Sequence, residues 1–264
     1  MKHITKKFKD TLLKTKLRMV RMHYEAKAGH LGSNLSCIDI LMILHHFQIT
    51  ENDYFVLSKG HSAGALYSTL WSLGSISDSI LKSFSKDGTT LPGHPSGASI
   101  PGLLFSTGSL GHGPSLSSGL ALSKKIKNEG GYIYCLCSDG EMQEGSCWES
   151  IIFSVHNQLH NMVLLIDQNG LQGFGSTEEV VSYSDLSSRL KSLNTHVQTV
   201  NGHNLKEILL SLNNLRKDRL NIVVFNTVKG KFLHNEGKVE SHYLPLTKNQ
   251  YKFACSNINK NILE

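Results

Sequence analysis

Apolar positions along the chain follow two alternating rhythms. Phe8, Leu12, Leu13, Leu17, Val20 and Tyr24 recur at helical spacing and predict an amphipathic helix within residues 1–27. Residues 36–47 read as a second helix, with Ser36 and Asp39 placed as an N-terminal capping pair. Residues 54–57 predict a short strand, and residues 62–73 a helix that Gly74 ends. Residues 86–113 are rich in Gly, Pro and Ser and read as a long irregular segment, a kind of loop that often carries function in compact chains. Pro114 opens a helix that runs to about residue 127. Residues 132–137 form a continuous apolar run, as expected of a strand buried on both faces, and Ser138-Asp139-Gly140 breaks it. Cys147, Trp148, Ile151, Ile152, Val155 and Leu159 make a helical stripe over residues 144–159. Residues 162–166 are a second buried strand, broken by Asp167-Gln168-Asn169-Gly170. This strand–helix–strand unit requires a parallel pair. Residues 196–200, 205–215 and 222–228 repeat strand, helix, strand. The class is therefore α/β with a mostly parallel central sheet. With no internal repeat or low-complexity linker, residues 1–264 read as a single domain.

Composition narrows the function classes. At 39% hydrophobic and 18% charged residues the chain is globular rather than disordered. No apolar run reaches the roughly 18–20 residues of a membrane span, and residues 1–9 lack the apolar stretch of a secretory signal. The five cysteines are odd in number and lie mostly in apolar segments, which predicts free thiols, a reducing compartment and a cytoplasmic location. Cys135 and Cys137 have no second pair with which to build a zinc site. The net charge of +6 is concentrated: residues 1–27 hold nine Lys/Arg against two Asp/Glu, leaving 18 against 19 elsewhere. A basic arm for nucleic acid is one reading of that helix; its apolar stripe favours a docked helix instead.

Histidine supplies the candidate chemistry. Five of the 14 histidines directly follow glycine (His30, His61, His94, His112 and His203) where chance predicts about one, from 23 glycines in 264 positions. Glycine allows tight turns and close approach to a ligand, so these imidazoles are expected to be presented from turns. Asp139 and Asn169 fall just past the ends of two adjacent strands, the place where open α/β sheets bind ligands. A carboxylate and an amide oxygen are hard ligands suited to Mg²⁺ or Ca²⁺. Gly140 and the following helix N-terminus suit a diphosphate. Taken alone, both segments also read as ordinary turns.

Asp139-Gly140, followed 30 residues later by Asn169, resembles the thiamine diphosphate motif. Gly29-His30-Leu31-Gly32-Ser33, Phe55-Val56-Leu57-Ser58-Lys59-Gly60-His61, Gly93-His94-Pro95, the Gly-rich run from Ser106 to Gly113, and Ser138-Asp139-Gly140-Glu141-Met142-Gln143-Glu144-Gly145 are similar to the N-terminal part of transketolases, in family order over about residues 15–245. The resemblance implies a three-layer diphosphate-binding fold and ketol transfer between sugars with thiamine diphosphate and Mg²⁺, for which Ca²⁺ substitutes. It implies Mg²⁺ ligation by the side chains of Asp139 and Asn169 and by the Leu171 carbonyl. Gly140 would meet the diphosphate, His61 the phosphates or thiazolium, and Gly108 and Leu110 the aminopyrimidine. His30, His94 and His242 would face the donor sugar, whose C–C cleavage leaves a carbanion for which the thiazolium is the electron sink. Glu144 would hydrogen-bond the catalytic glutamate of the pyrimidine-binding domain. His203 resembles a family turn that caps a helix, and His45-His46 read as structural.

A complete transketolase is well over twice this length. If the resemblance holds, the pyrimidine-binding and C-terminal domains, with the activating glutamate and the substrate-phosphate site, are expected to lie outside this sequence. The expectation is an N-terminal subunit of a split enzyme, active only with a C-terminal partner subunit, as a homodimer or an α₂β₂ complex, with neither nucleic acid nor membrane as a partner. Ser138 replaces the first glycine of the motif, Leu31 replaces a proline, Ser241-His242-Tyr243 departs from Trp-His-Gly, and His112 stands where the family often has Gln. The loop 172–177 also differs, with Phe174 expected at the mouth of the site, which suggests a specialised sugar. Alternative readings are a related thiamine diphosphate enzyme (1-deoxyxylulose 5-phosphate synthase-like, or a 2-oxo acid decarboxylase or dehydrogenase) and a non-catalytic cofactor-binding scaffold.

Overall fold

A computed structural model describes residues 3–97, 100, 102–182 and 185–262. The chain runs through α1 (Lys6–Ala26), α2 (Leu31–Ile43), β1 (Tyr54–Leu57), α3 (Ala63–Ser72), α4 (Asp78–Leu81) and α5 (His112–Lys127). It continues with β2 (Ile133–Ser138), α6 (Gly145–His156), β3 (Met162–Gln168), α7 (Thr177–Val180), α8 (Leu186–Ser192), β4 (His196–Asn201), α9 (Leu205–Asn213), β5 (Asn221–Asn226), α10 (Glu240–Tyr243) and α11 (Lys248–Ile262). The five strands form one sheet in the order β1-β2-β3-β5-β4, and every pair is parallel.

Strand alternation divides the core into two layers. Tyr134, Leu136, Val163, Leu165, Val223 and Phe225 point to the face covered by α1, α2, α3, α9 and α11. Cys135, Cys137, Leu164, Ile166, Ile222 and Val224 point to the face covered by α5, α6 and α8. Both faces are apolar because both are covered, which is why β1, β2, β3 and β5 read as largely unbroken hydrophobic runs, while the edge strand β4 is only partly buried and mixes in polar residues. The three-layer α/β arrangement is the one expected from the sequence.

The basic helix α1 docks rather than projects. Its Phe8, Leu12, Met19 and Val20 are buried. Each such side chain contributes about 1.5–3 kcal/mol on burial. Tyr24, counted in the apolar stripe, stacks instead on Tyr251 of α11 at 4.5 Å.

The second helix departs from expectation. It begins at Leu31, five residues before the anticipated start, and continues beyond Ile43 as a π-helical turn over Leu44–Gln48. Ser36 and Asp39 are not a capping pair. Ser36 donates to Asp167 at 2.5 Å, and Asp39 pairs with Lys16 at 2.7 Å. All 13 residues of α2 are buried, so no polar face marks its beginning.

Candidate active site

The carboxyl ends of β1, β2, β3 and β5 open into one cavity of about 250 Å³. His30, His61, His94 and His242 line it from four separate segments. His30 is the N-cap of α2 with φ 63°, a left-handed conformation that turns the chain into the cavity. Its N–H donates to the His242 carbonyl at 2.7 Å, which locks the two turns together. Asn34 Nδ2 donates to the carbonyl of His30 at 2.7 Å and to that of His61 at 3.2 Å. One amide thus holds both backbone turns. The His30 ring centroid lies 5.8 Å from that of His61, 5.5 Å from His94 and 4.8 Å from His242. His94 packs over Gly108, which has φ 127° and whose added Cβ would lie 3.4 Å from the His94 ring. A side chain there would be strained and would crowd the imidazole.

The opposite wall carries oxygen donors. Asp139 accepts from Gly140 N at 3.0 Å and from Gly170 N at 2.6 Å, so its carboxylate bridges the two strand-end turns. Asn169 Oδ1 accepts from Leu171 N at 3.1 Å. Gly140, Asn169 and Leu171 line the cavity; Asp139 lies directly behind Gly140 and is buried. Lys229 also lines the cavity, and its Nζ donates to the Leu171 carbonyl at 3.0 Å. Beneath this wall, Lys59 and Asp167 form a fully buried ion pair that Ser36 and Thr227 complete with hydroxyl hydrogen bonds.

Burial dominates the electrostatics. It pulls the His30 imidazole down to about 4, with His94 and Lys229 adding repulsion. Burial and then Lys229 take His242 down to about 3. Burial also lowers His94, and takes His61 well below the usual range with help from Lys59. All four are therefore neutral at physiological pH, each with one donor and one acceptor nitrogen. Burial and the neighbouring Asp167 raise Asp139 to about 6, while burial and Lys59 bring Lys229 down to about 8.

These features fit a magnesium–diphosphate group. A buried carboxylate with raised pKa, an amide and a carbonyl form a hard donor set with positions left for phosphate oxygens. Among the described residues no group of three or more His, Cys, Asp or Glu is placed to hold a metal, so a ligand would have to complete any such shell. His30 Nδ1 and His242 Nδ1 are buried and meet no hydrogen-bond partner among the described residues. Buried polar atoms in that state call for a partner, which a polyhydroxylated ligand can supply.

Of the residues singled out in the sequence, His30, His61, His94, Gly108, Leu110, Gly140, Asn169, Leu171 and His242 line this one cavity. Glu144 does not. It is the exposed N-cap of α6, and an added Cβ on Gly111 would meet its Cβ at 2.8 Å. His112 opens α5 and lies outside the cavity. The turn that carries His203 caps α9 as expected, through the side chain of Asn204. His203 itself donates from Nδ1 to Asp39 at 3.1 Å and accepts the Val228 N–H at Nε2 at 3.0 Å. Phe174 stands at the rim, 89% exposed, beside Tyr243. Lys229, which lines the cavity, and Asn34, which holds the His30 and His61 turns, are not singled out by the sequence. Lys229 has a signal, because it lies three residues past the end of a buried parallel strand. Asn34 has none.

The family described as transketolase, thiamine diphosphate binding domain, matches residues 10–258. The chain is 34% identical over 262 residues to one subunit of the apulose-4-phosphate transketolase of Phocaeicola vulgatus, covering 94% of this chain and 92% of that protein. It is 32% identical over 244 residues to the 6-deoxy-6-sulfo-D-fructose transketolase subunit SqwG of Clostridium sp. strain MSTE9, covering 88% and 89%. The solved transketolase of Campylobacter jejuni superposes with a TM-score of 0.87 at 27% identity, over 97% of this chain and 43% of that one. The chain thus matches the two transketolase subunits over most of their length and spans less than half of the solved transketolase.

Proposed function

This chain belongs to the transketolase family through its thiamine diphosphate-binding domain, and from that premise we propose that it is the N-terminal subunit of a split transketolase. It moves a two-carbon ketol unit from a ketose or ketose phosphate to an aldose, with thiamine diphosphate and Mg²⁺, and completes its site with a C-terminal partner subunit. The observation that carries this reading is the convergence of four neutral imidazoles with Asn169 and Leu171 on one cavity, with the Asp139 carboxylate buried directly behind its Gly140 wall. Residues 1–264 act as a single diphosphate-binding domain. The assembly is a homodimer or α₂β₂, in the cytoplasm; among the described residues no helix is long and apolar enough to cross a membrane.

Bound thiamine diphosphate supplies an electron sink for the carbanion left when the sugar C–C bond breaks. Asp139, Asn169 and the Leu171 carbonyl would hold the metal, and Gly140 would let the diphosphate reach the backbone. Lys229 adds positive charge on the same side. His30, His94 and His242 accept and return hydroxyl protons of the sugar, as neutral imidazoles do at pH 7. His61 orients the cofactor. Leu110 and Gly108 line the aminopyrimidine side. Glu144, turned outward, meets the activating glutamate of the partner subunit.

The substrate is a specialised sugar. Two relatives are named for apulose-4-phosphate and for 6-deoxy-6-sulfo-D-fructose. The aromatic rim of Phe174 and Tyr243 departs from the common family pattern in the same place. The test is ketol transfer by this chain with the product of its adjacent partner gene. Turnover needing both chains, with higher kcat/KM for such a sugar than for xylulose 5-phosphate, is expected. Turnover with pyruvate as donor, or by this chain alone, contradicts the proposal.

A further inference from the structure

The most spacious cavity described is not the one lined by histidines. About 650 Å³ of space lies at the β4 edge of the sheet, between α1, the start of α9, the end of α11 and the segment after β5. Four lysines line it: Lys9, Lys16, Lys206 and Lys231. Asp39 is the one carboxylate in the lining, and it is engaged twice, by Lys16 Nζ at 2.7 Å and by His203 Nδ1 at 3.1 Å. His203 accepts the Val228 N–H at its other nitrogen, so both ring nitrogens are engaged. Just outside the lining, Glu207 is held by Asn201 N at 2.9 Å and Asn204 Nδ2 at 2.8 Å. The first backbone donors of α9 are closed as well, since Lys206 N and Glu207 N both donate to Asn204 Oδ1. Lys9, Lys206 and Lys231 form no salt bridge among the described residues. Three cations on three different elements therefore face one concave space floored by Leu12, Leu205 and Phe232.

We propose that this cavity is a second anion site, separate from the histidine-lined one, which takes a small phosphorylated metabolite carrying at least two negative charges. Three converging ammonium groups exceed what one carboxylate needs, and the volume falls within the range of about 300–1,000 Å³ typical of small-molecule sites. Lysine engages phosphate as a point charge without demanding a fixed planar geometry. Of the basic residues of α1, the site uses Lys9 and, through its pair with Asp39, Lys16. It also adjoins the cofactor wall: His203 grips the N–H of Val228, and the next residue, Lys229, reaches the Leu171 carbonyl.

The probe is inorganic pyrophosphate, titrated into the ¹⁵N-labelled full chain and followed by ¹H–¹⁵N spectra, with citrate as a non-phosphate control. Saturable shifts at Lys9, Asn204, Lys206 and Phe232 are expected. Lys206→Glu/Lys231→Glu should raise the apparent Kd at least tenfold at those amides, and Lys229→Met should leave it unchanged. Should the charge reversal unfold the chain, Lys9→Gln/Lys206→Gln, both at exposed positions, takes its place. Shifts confined to the histidine-lined cavity, equal binding of citrate, or a Kd at the α9 amides indifferent to the lysine substitutions would overturn the proposal. Neither result depends on turnover, so failure here leaves the transketolase reading untouched.

Discussion

The buried Lys59–Asp167 pair offers the sharpest test of how the site is held. Both side chains are 0% exposed. Asp167 accepts from Lys59 and Ser36 on one oxygen and from Thr227 on the other, while Lys59 Nζ also reaches the Ser33 carbonyl at 3.3 Å. The pair therefore ties the end of β1 to α2, β3 and the end of β5, the elements that carry His61, His30, Asn169 and Lys229. Lys59→Met leaves a buried carboxylate without its counter-charge, at a cost of about 3–5 kcal/mol. Against a total stability of about 5–15 kcal/mol, the variant folds but with little margin. Lys59→Met/Asp167→Leu removes both charges. Ser36 Oγ keeps its bond to the Ser33 carbonyl at 2.9 Å, and the Thr227 hydroxyl loses its acceptor. One unmet hydroxyl costs about 1–3 kcal/mol. The double variant is thus expected to be more stable than Lys59→Met alone, where additivity of the two single changes predicts roughly 6–10 kcal/mol of loss. Urea unfolding followed by the fluorescence of Trp71 and Trp148 measures all four corners of the cycle. A cost below about 1 kcal/mol for Lys59→Met, or additive losses in the double variant, would refute the reasoning.

Three further outcomes follow from the same contacts. His23 is buried with Nδ1 donating to the Met19 carbonyl at 2.9 Å, and burial lowers it to about 4. The unfolded chain takes this proton near pH 6.5 and the folded chain does not until about 4. Its contribution is therefore full above pH 6.5 and is lost as pH falls towards 4, by about 1.4 kcal/mol per unit and about 3 kcal/mol in all. His23→Gln should flatten the stability–pH slope in that window, and an unchanged slope contradicts the assignment. Glu144→Gln should leave the stability of the isolated chain unchanged and cut turnover of the two-chain enzyme by about 100-fold or more; a loss of stability in the isolated chain would point to a structural role instead. His203→Ala strips the acceptor from Val228 N–H and the second partner from Asp39, costing about 1–3 kcal/mol. It should also weaken cofactor binding through Lys229, and an unchanged cofactor Kd in a destabilised variant would leave His203 with no part in positioning.

Much of this architecture is legible in the chain itself. β1, β2, β3 and β5 show as apolar runs because both their faces are covered, whereas the edge strand β4 mixes polar and apolar residues and is only partly buried; the strand-end residues Asp139 and Asn169 follow from the parallel topology. The limits are physical. The start of α2 is hidden because a helix buried on every side has no polar face, and its first residue is set by the left-handed His30 rather than by a capping side chain. Ser36 and Asp39 imitate a cap locally, but their partners, Asp167 and Lys16, are brought by tertiary folding. The helix α11 gives little signal because its sequence is polar, with Ala254 and Ile258 as its buried apolar anchors among the described residues. Asn34 lies within a helical run, and nothing local reveals that its amide joins the turns of His30 and His61.

The central claim concerns cofactor and metal together. Titration calorimetry of thiamine diphosphate with Mg²⁺ into this chain with its C-terminal partner subunit, beside an Asp139→Ala control, tests it most directly. Saturable binding that requires Mg²⁺ and is lost in Asp139→Ala is predicted. Binding that survives Asp139→Ala, or no binding by the two chains together, would contradict it.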